Sequence, residues 1–209
     1  MSKLAWLTAR PVAHRGLHDL AAGVIENMPA AVTAAIASGY AIEVDLQISS
    51  DGEAMVHHDD VLGRLSEGSG RLDAMTASEL KRVPFRATAD RMMTLGELLD
   101  LVGGRATLVL ELKSLRDGDR LLPARVAQVL VGYSGPVAAM SFDPASVLAL
   151  ENLAPKIARG IVAQRARALA DVRNGWRARP QFVAYSVKDL PAPAPLLGRY
   201  LLGKPLLTW

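Results

Sequence analysis

The sequence predicts an α/β protein built as a (β/α)8 barrel, and three observations carry that prediction. Strands and helices alternate strictly, with seven strands in line for one parallel sheet, starting near residues 12, 41, 107, 137, 157, 182 and 205. No glycine-rich phosphate loop follows the first strand, as a doubly wound sheet would require; His14-Arg15-Gly16 stands there instead. Side chains with chemistry to offer (His14, Glu43, Asp45, Glu111, Lys113, Ser141) fall at the C-terminal ends of strands, where a barrel of this class carries its active site.

The elements follow in order. Pro11 to His14 is a short apolar strand that opens into a loop at Arg15-Gly16. Asn27 is placed to cap a helix running to about Ser38, with Pro29 in its first turn and Gly39 just past its end. A strand begins at Tyr40, completing a βαβ unit. Ser50-Asp51-Gly52 then turns the chain into Glu53–His57, read as a hairpin partner of that strand. From Val61 to about Met92 periodicity fades amid Gly63, Gly68 and Gly70, and the stretch of about 60–92 reads as an insertion beside the scaffold. Thr76 with Glu79, and Thr94 with Glu97, are capping boxes that open two helices, the second ending near Gly103-Gly104. Beyond them the pattern repeats: strand Thr107 to Ser114, helix about Asp119 to Val131, strand Pro136 to Ser141, then a helix capped by Asp143-Pro144. Ile157 to Val162 is a strand, about Arg165 to Arg173 a helix stopped by Asn174-Gly175, and Gln181 to Ser186 a strand. The proline-rich Leu190 to Pro195 leads to an ill-defined turn or helix before a last strand at Leu206. All 209 residues read as one domain, and the chain stops inside its seventh parallel strand, one βα unit short of the eight that close a barrel.

Bulk composition narrows the function. Half of the residues are apolar, enough for a single large core. Lys and Arg number 24 against 21 Asp and Glu, a net charge of +3 with no basic run, so nucleic acid is not an expected partner. With no cysteine, any metal must be held by oxygen or nitrogen. No apolar run approaches the roughly 20 residues of a membrane span. The N-terminus lacks a signal-peptide pattern, and the expected location is cytoplasmic. No feature of the sequence fixes an oligomeric state.

The stretch from Tyr40 to Asp59 concentrates the chemistry. Ile42, Val44, Leu46 and Ile48 share one strand parity; Glu43, Asp45 and Gln47 share the other, so the two carboxylates project from one face. The hairpin then delivers His57, His58, Asp59 and Asp60 within twenty residues. Leu108, Leu110 and Leu112 likewise leave Val109, Glu111 and Lys113 on the opposite parity. Glu43, Asp45 and Glu111 therefore suit a hard divalent cation such as Mg²⁺ or Ca²⁺. The bland alternative is a buried ion-pair cluster with Arg15 and Lys113, costly for three acids without a metal.

His14-Arg15-Gly16, Glu26-Asn27, Glu43-Val-Asp45, His58-Asp59 and Glu111-Leu-Lys113 occur in the order and approximate spacing of the glycerophosphodiester phosphodiesterases, and the chain resembles that family almost throughout. It departs at Ile25, where proline is usual, and at Met28, where threonine is common; neither position carries chemistry. The resemblance implies a TIM barrel with a small insertion after the second strand and roughly 35 further C-terminal residues, one more βα unit. It implies metal-dependent hydrolysis of glycerophosphodiesters to glycerol 3-phosphate and an alcohol, with His14 and His58 as the acid–base pair. Its implied route is attack by the glycerol 2-hydroxyl to give a cyclic phosphate that water opens; the residues alone fit direct attack by water equally. Arg15 and Lys113 are candidates to grip the phosphate, with ion pairing to the acids as the alternative. Glu26 fits the motif or anchors the loop of His14 and Arg15, and Asp59 orients a histidine or the hairpin. Phe142 and Trp209 are candidates for the apolar wall of the alcohol pocket, or for core. His57 reads as packing and Asp60 as solvated; His18-Asp19 has no assigned role. Two other readings stay open: a related barrel phosphodiesterase acting on lysophospholipids or other phosphodiesters, and a non-catalytic phosphate-binding barrel.

Overall fold

The structure, a computed structural model, describes residues 4–113, 120–164 and 178–209. Seven parallel strands make its frame: β1 (Val12–Ala13), β2 (Ala41–Ile48), β4 (Leu108–Leu112), β5 (Val137–Ser141), β6 (Ala158–Ala163), β7 (Phe182–Tyr185) and β8 (Leu206–Thr208). They pair in the order β1-β2-β4-β5-β6-β7-β8, and β3 (Ala54–Val56) pairs antiparallel on β2. All seven expected parallel strands are present, and the expected hairpin partner is β3. The sheet curls as a half-barrel whose edge strands β1 and β8 are not neighbours in the hydrogen-bonded order.

The helices lie where the sequence signals put them: α1 (Pro29–Ala37), α2 (Ala77–Leu80), α3 (Leu95–Val102), α4 (Leu121–Val129), α5 (Pro144–Leu153) and α6 (Pro193–Leu202). Both capping boxes are complete, with Thr76 and Thr94 accepting from the amides of Glu79 and Glu97, whose side chains bond back. Asp143 accepts from the amides of Ala145 and Ser146 to start α5. The ill-defined stretch after Leu190 is the helix α6. The helix expected from about Arg165 to Arg173, with its Asn174-Gly175 stop, lies outside the described residues, as does the expected helix start at Asp119.

One local reading fails. Asn27 does not cap α1: the N-cap position is Met28, without a side-chain cap bond. Asp90 caps the helix from afar instead, accepting from the Ala30 amide at 2.9 Å. Asn27 is buried and committed elsewhere.

Two apolar layers hold the frame. On the helix side, Val44, Leu46, Leu108 and Leu110 pack against Val32 of α1 and Leu98 of α3. Inside the curl, Val109, Met140, Val162 and Phe182 gather around Leu7, which is fully buried and sits on a 3-10 turn (Ala5–Thr8) ahead of β1. Gly160 of β6 makes room here, for a Cβ at that position would lie 2.3 Å from the Phe182 ring. Residues 61–92 carry a third apolar cluster, in which Leu62, Leu72, Leu80 and Phe85 pack on Ile25 and Met28. Those two positions, where the chain departs from the expected motif, are thus core. No helix among the described residues is long and apolar enough to cross a membrane.

Candidate active site

Parallel register assembles the acids. β2 and β4 pair so that Asp45 stands opposite Glu111, while Glu43 lies two residues back on the same face of β2. Ligand oxygens of Glu43, Asp45 and Glu111 all lie within 4.8 Å of one another, and all three residues are buried. Burial first, then the neighbouring charges of Asp45 and Glu111, raises the Glu43 pKa well above its usual value. Burial likewise raises Glu111, although the Lys113 ammonium works against it.

The loop after β1 brings cations to these acids. Arg15 adopts φ +59°, unusual for a residue with a side chain, and its amide donates to Glu43 Oε2 at 2.9 Å. Its Nε lies 3.4 Å from Asp45 Oδ2, and its Nη1 donates to Glu26 Oε1 at 2.8 Å. Gly16, at φ +81°, lets the loop run against α1; a Cβ there would meet Ala31 at 2.8 Å. Lys113 Nζ sits 3.0 Å from Asp45 and 2.7 Å from Glu111. Burial alone would lower the Lys113 pKa, but the two carboxylates reverse this and raise it. The ion pairing considered as the bland alternative is therefore present alongside the acid cluster.

The imidazoles flank the acids. His14 is half-exposed, with Nε2 3.8 Å from Glu43 Oε2. Its pKa is lowered, by burial first and then by the Arg15 charge. His58 Nδ1 donates to Asp59 Oδ1 at 2.8 Å, and the ring lies near enough to Glu111 for a charge on it to lower that carboxyl's pKa. Gln47, on the Glu43 and Asp45 parity, donates to the His58 carbonyl at 2.9 Å and holds this backbone in place. His57 is buried, edge-on to Phe85, with its pKa lowered chiefly by burial. Asp60 is exposed, and Asp19 accepts from the Ala21 amide at 3.0 Å to start a 3-10 turn.

Two residues have roles that the sequence did not disclose. Asn27, buried at φ +60°, donates from Nδ2 to Asp45 Oδ2 at 2.9 Å and accepts from the Asp45 amide at 3.2 Å. Its own amide donates to the Arg15 carbonyl at 2.8 Å, so it clips the loop to the strand. The only signal for this was its place in the Glu26-Asn27 motif. Arg64, in a glycine-rich turn, donates from Nη2 to Glu26 Oε1 and from Nε to Asp59 Oδ2, each at 2.6 Å, and nothing local marked it. Burial would raise the Glu26 pKa, but its bonds to Arg64 and Arg15 hold it at about 2. Ser141, polar and at a strand end, turns its Oγ to the Leu112 carbonyl at 2.7 Å and serves the backbone.

A cavity of about 400 Å³ opens beside the acids, lined by His14, Glu43 and Glu111 and by Met140, Leu207 and Trp209. Phe142 meets Trp209 edge-on, with ring centroids 6.0 Å apart. The donor set fits a hard cation: all its atoms are oxygens, and Glu43 Oε1 is buried without a hydrogen-bond partner. Burial and the mutual repulsion of these carboxyls, which raise the pKa of Glu43 and Glu111, are what a bound cation would relieve.

Comparison with known proteins agrees with this geometry. Residues 14–193 match the model of the glycerophosphoryl diester phosphodiesterase family. A glycerophosphodiester phosphodiesterase of Caldanaerobacter subterraneus subsp. tengcongensis is 29% identical over 189 residues, covering 84% of this chain and 73% of that one. Among solved structures, a phosphodiesterase of Oleispira antarctica, in complex with the product sn-glycerol-3-phosphate, superposes with a TM-score of 0.82 at 22% identity, over 96% of this chain and 83% of that one. A glycerophosphodiester phosphodiesterase of Thermotoga maritima gives 0.74 at 22% identity, over 95% and 84%.

Proposed function

The chain belongs to the glycerophosphoryl diester phosphodiesterase family, and from that premise we propose that it hydrolyses glycerophosphodiesters to glycerol 3-phosphate and an alcohol. The observation that carries this reading is the cluster of Glu43, Asp45 and Glu111, with an unpartnered buried oxygen, beside two imidazoles and a cavity. The product held by the Oleispira antarctica relative supports glycerol 3-phosphate as the retained half.

A phosphodiester resists attack because its anionic oxygens repel nucleophiles and its alkoxide leaves poorly. Glu43, Asp45 and Glu111 would hold Mg²⁺ or Ca²⁺, which supplies positive charge to the phosphoryl oxygens. His14 and His58 divide the proton transfers: one takes the proton of the attacking hydroxyl, the other gives one to the leaving oxygen. His14, whose pKa is lowered, is the base at neutral pH. Asp59 orients the His58 ring and sets which nitrogen carries the proton. Arg15 and Lys113 bind the phosphate by shifting from the acids they contact, and Glu26 steers Arg15. Trp209 walls the alcohol side of the cavity; Phe142, expected to share that role, does not line it and backs the Trp209 ring edge-on. In this reading residues 1–209 act as one phosphodiesterase unit, with about 60–92 as an insertion.

The test is release of glycerol 3-phosphate from glycerophosphocholine, with EDTA and with Mg²⁺ or Ca²⁺ added back. Activity should vanish with chelation and return with the ion; indifference to chelation refutes the metal assignment. His14→Ala and His58→Ala should each abolish turnover, and survival of turnover in both refutes the acid–base assignment.

A further inference from the structure

We propose that Arg64 is a positioning residue of this site: one guanidinium that ties the His58–Asp59 pair to the Glu26–Arg15 pair. The inference rests on the phosphodiesterase reading above and extends it to a residue that touches none of the reacting groups.

The two halves of the site come from different parts of the chain. His14 and Arg15 lie in the loop after β1, and His58 lies in the loop after β3. Among the described residues, Arg64 alone bonds to both Glu26 and Asp59, an acid of each half. Its Nη2 and Nη1 reach both oxygens of Glu26, at 2.6 and 3.3 Å, and its Nε reaches Asp59 Oδ2 at 2.6 Å. The other Asp59 oxygen is on His58 Nδ1, and Glu26 Oε1 also takes Arg15 Nη1. The chain of contacts therefore runs from ring to carboxylate to guanidinium to carboxylate to guanidinium without a gap.

Backbone packing aims Arg64 at this task. Leu62 and Ile25 share one apolar cluster, which brings Gly63-Arg64 beside Glu26. Gly63, at φ +119°, makes the turn, and its amide donates to Ser66 Oγ at 3.2 Å. An exposed ion pair is worth little by itself. Here a planar fork engages two carboxylates with side chains only 14% and 19% exposed, a geometry in which lysine cannot replace arginine. Its effect should appear as orientation of His58 and Arg15 and only weakly as stability, because Arg64 itself is 45% exposed.

The experiment compares wild type, Arg64→Lys and Arg64→Ala in steady-state hydrolysis of glycerophosphocholine, in thermal melting, and in ¹⁵N NMR of the His58 ring. Removing a residue that orients a catalytic ligand typically costs roughly 10–100-fold in activity. That loss is expected in kcat for Arg64→Ala, with a smaller loss in Arg64→Lys and melting temperatures close to wild type. Guanidinium ion added to Arg64→Ala should restore part of kcat. The His58 ¹⁵N pattern should change from one defined tautomer to an averaged one in both variants. Unchanged kcat and an unchanged ring pattern in both variants overturn the proposal. A kcat loss that tracks melting temperature, without guanidinium rescue or an altered ring pattern, also overturns it. If wild type itself releases no glycerol 3-phosphate, the phosphodiesterase reading fails, and the ring pattern alone decides whether Arg64 positions His58.

Discussion

Replacing Glu43 by glutamine should stabilise the protein in EDTA and lose some or all of that advantage over wild type once a divalent ion is present. Glu43 accepts the Arg15 amide on one oxygen, while the other is buried with no donor. A buried, unsatisfied acceptor costs about 1–3 kcal/mol, and more when charged. Glutamine keeps an acceptor for Arg15 and presents an N–H₂ to the neighbouring carboxylates, so the expected gain is about 1–3 kcal/mol. The raised pKa fixes the pH dependence. Above the ordinary carboxyl value the unfolded chain releases the Glu43 proton while the folded one retains it, so wild-type stability falls as pH rises. The gap should therefore widen as pH rises above the ordinary carboxyl value near 4.5 and narrow below it. For a chain of this size the gain appears as about 2–4 °C in Tm per kcal/mol. With ion at about a hundred times Kd, wild type gains about 2.7 kcal/mol, whereas a variant lacking one anionic ligand gains less, so the order narrows or reverses. Urea and thermal unfolding of both proteins, in EDTA and with Mg²⁺ at two pH values, read all of this. Glu43→Gln melting below wild type in EDTA at the higher pH would refute the reasoning.

Three further outcomes follow from the geometry. Asn27→Ala strands the Asp45 amide and forces φ +60° on alanine, and should cost about 3–5 kcal/mol in urea unfolding, with Asn27→Gly recovering about 1 of it. Because Glu26 is held at about 2, its contribution is complete above its unfolded value near 4.5 and lost as pH falls through about 2. Glu26→Gln should thus be weaker by about 1–2 kcal/mol at neutral pH, allowing for solvent screening, and equal to wild type in strong acid, as acid titration of stability will reveal. Gly160→Ala should destabilise by about 1–3 kcal/mol because its methyl collides with Phe182, and Phe182→Leu in the same chain should relieve most of that.

The frame was legible because its determinants are local. Period-2 parity alone put Glu43 and Asp45 on one face of β2 and Glu111 on the matching face of β4. Capping residues such as Thr76, Thr94 and Asp143 marked helix starts whose bonds are all within three residues. What escaped was decided at long range. Asn27 stands two residues before Pro29, where an N-cap is the natural reading, but a partner eighteen residues away claims its side chain and Asp90 takes over the capping. Arg64 looks like an ordinary solvated arginine among glycines, because its value depends on where residues 26 and 59 arrive in space. Ser141 misled in the opposite direction: its position matched a site residue, but the nearest strong acceptor was the Leu112 carbonyl.

Leu7 is a stopper: a residue that precedes β1 plugs the curl against Met140 and Leu207, which also line the cavity beside Glu43 and Glu111. Plug and cavity thus share a wall, so a change at Leu7 that shifts Met140 reaches the cavity as well as the core.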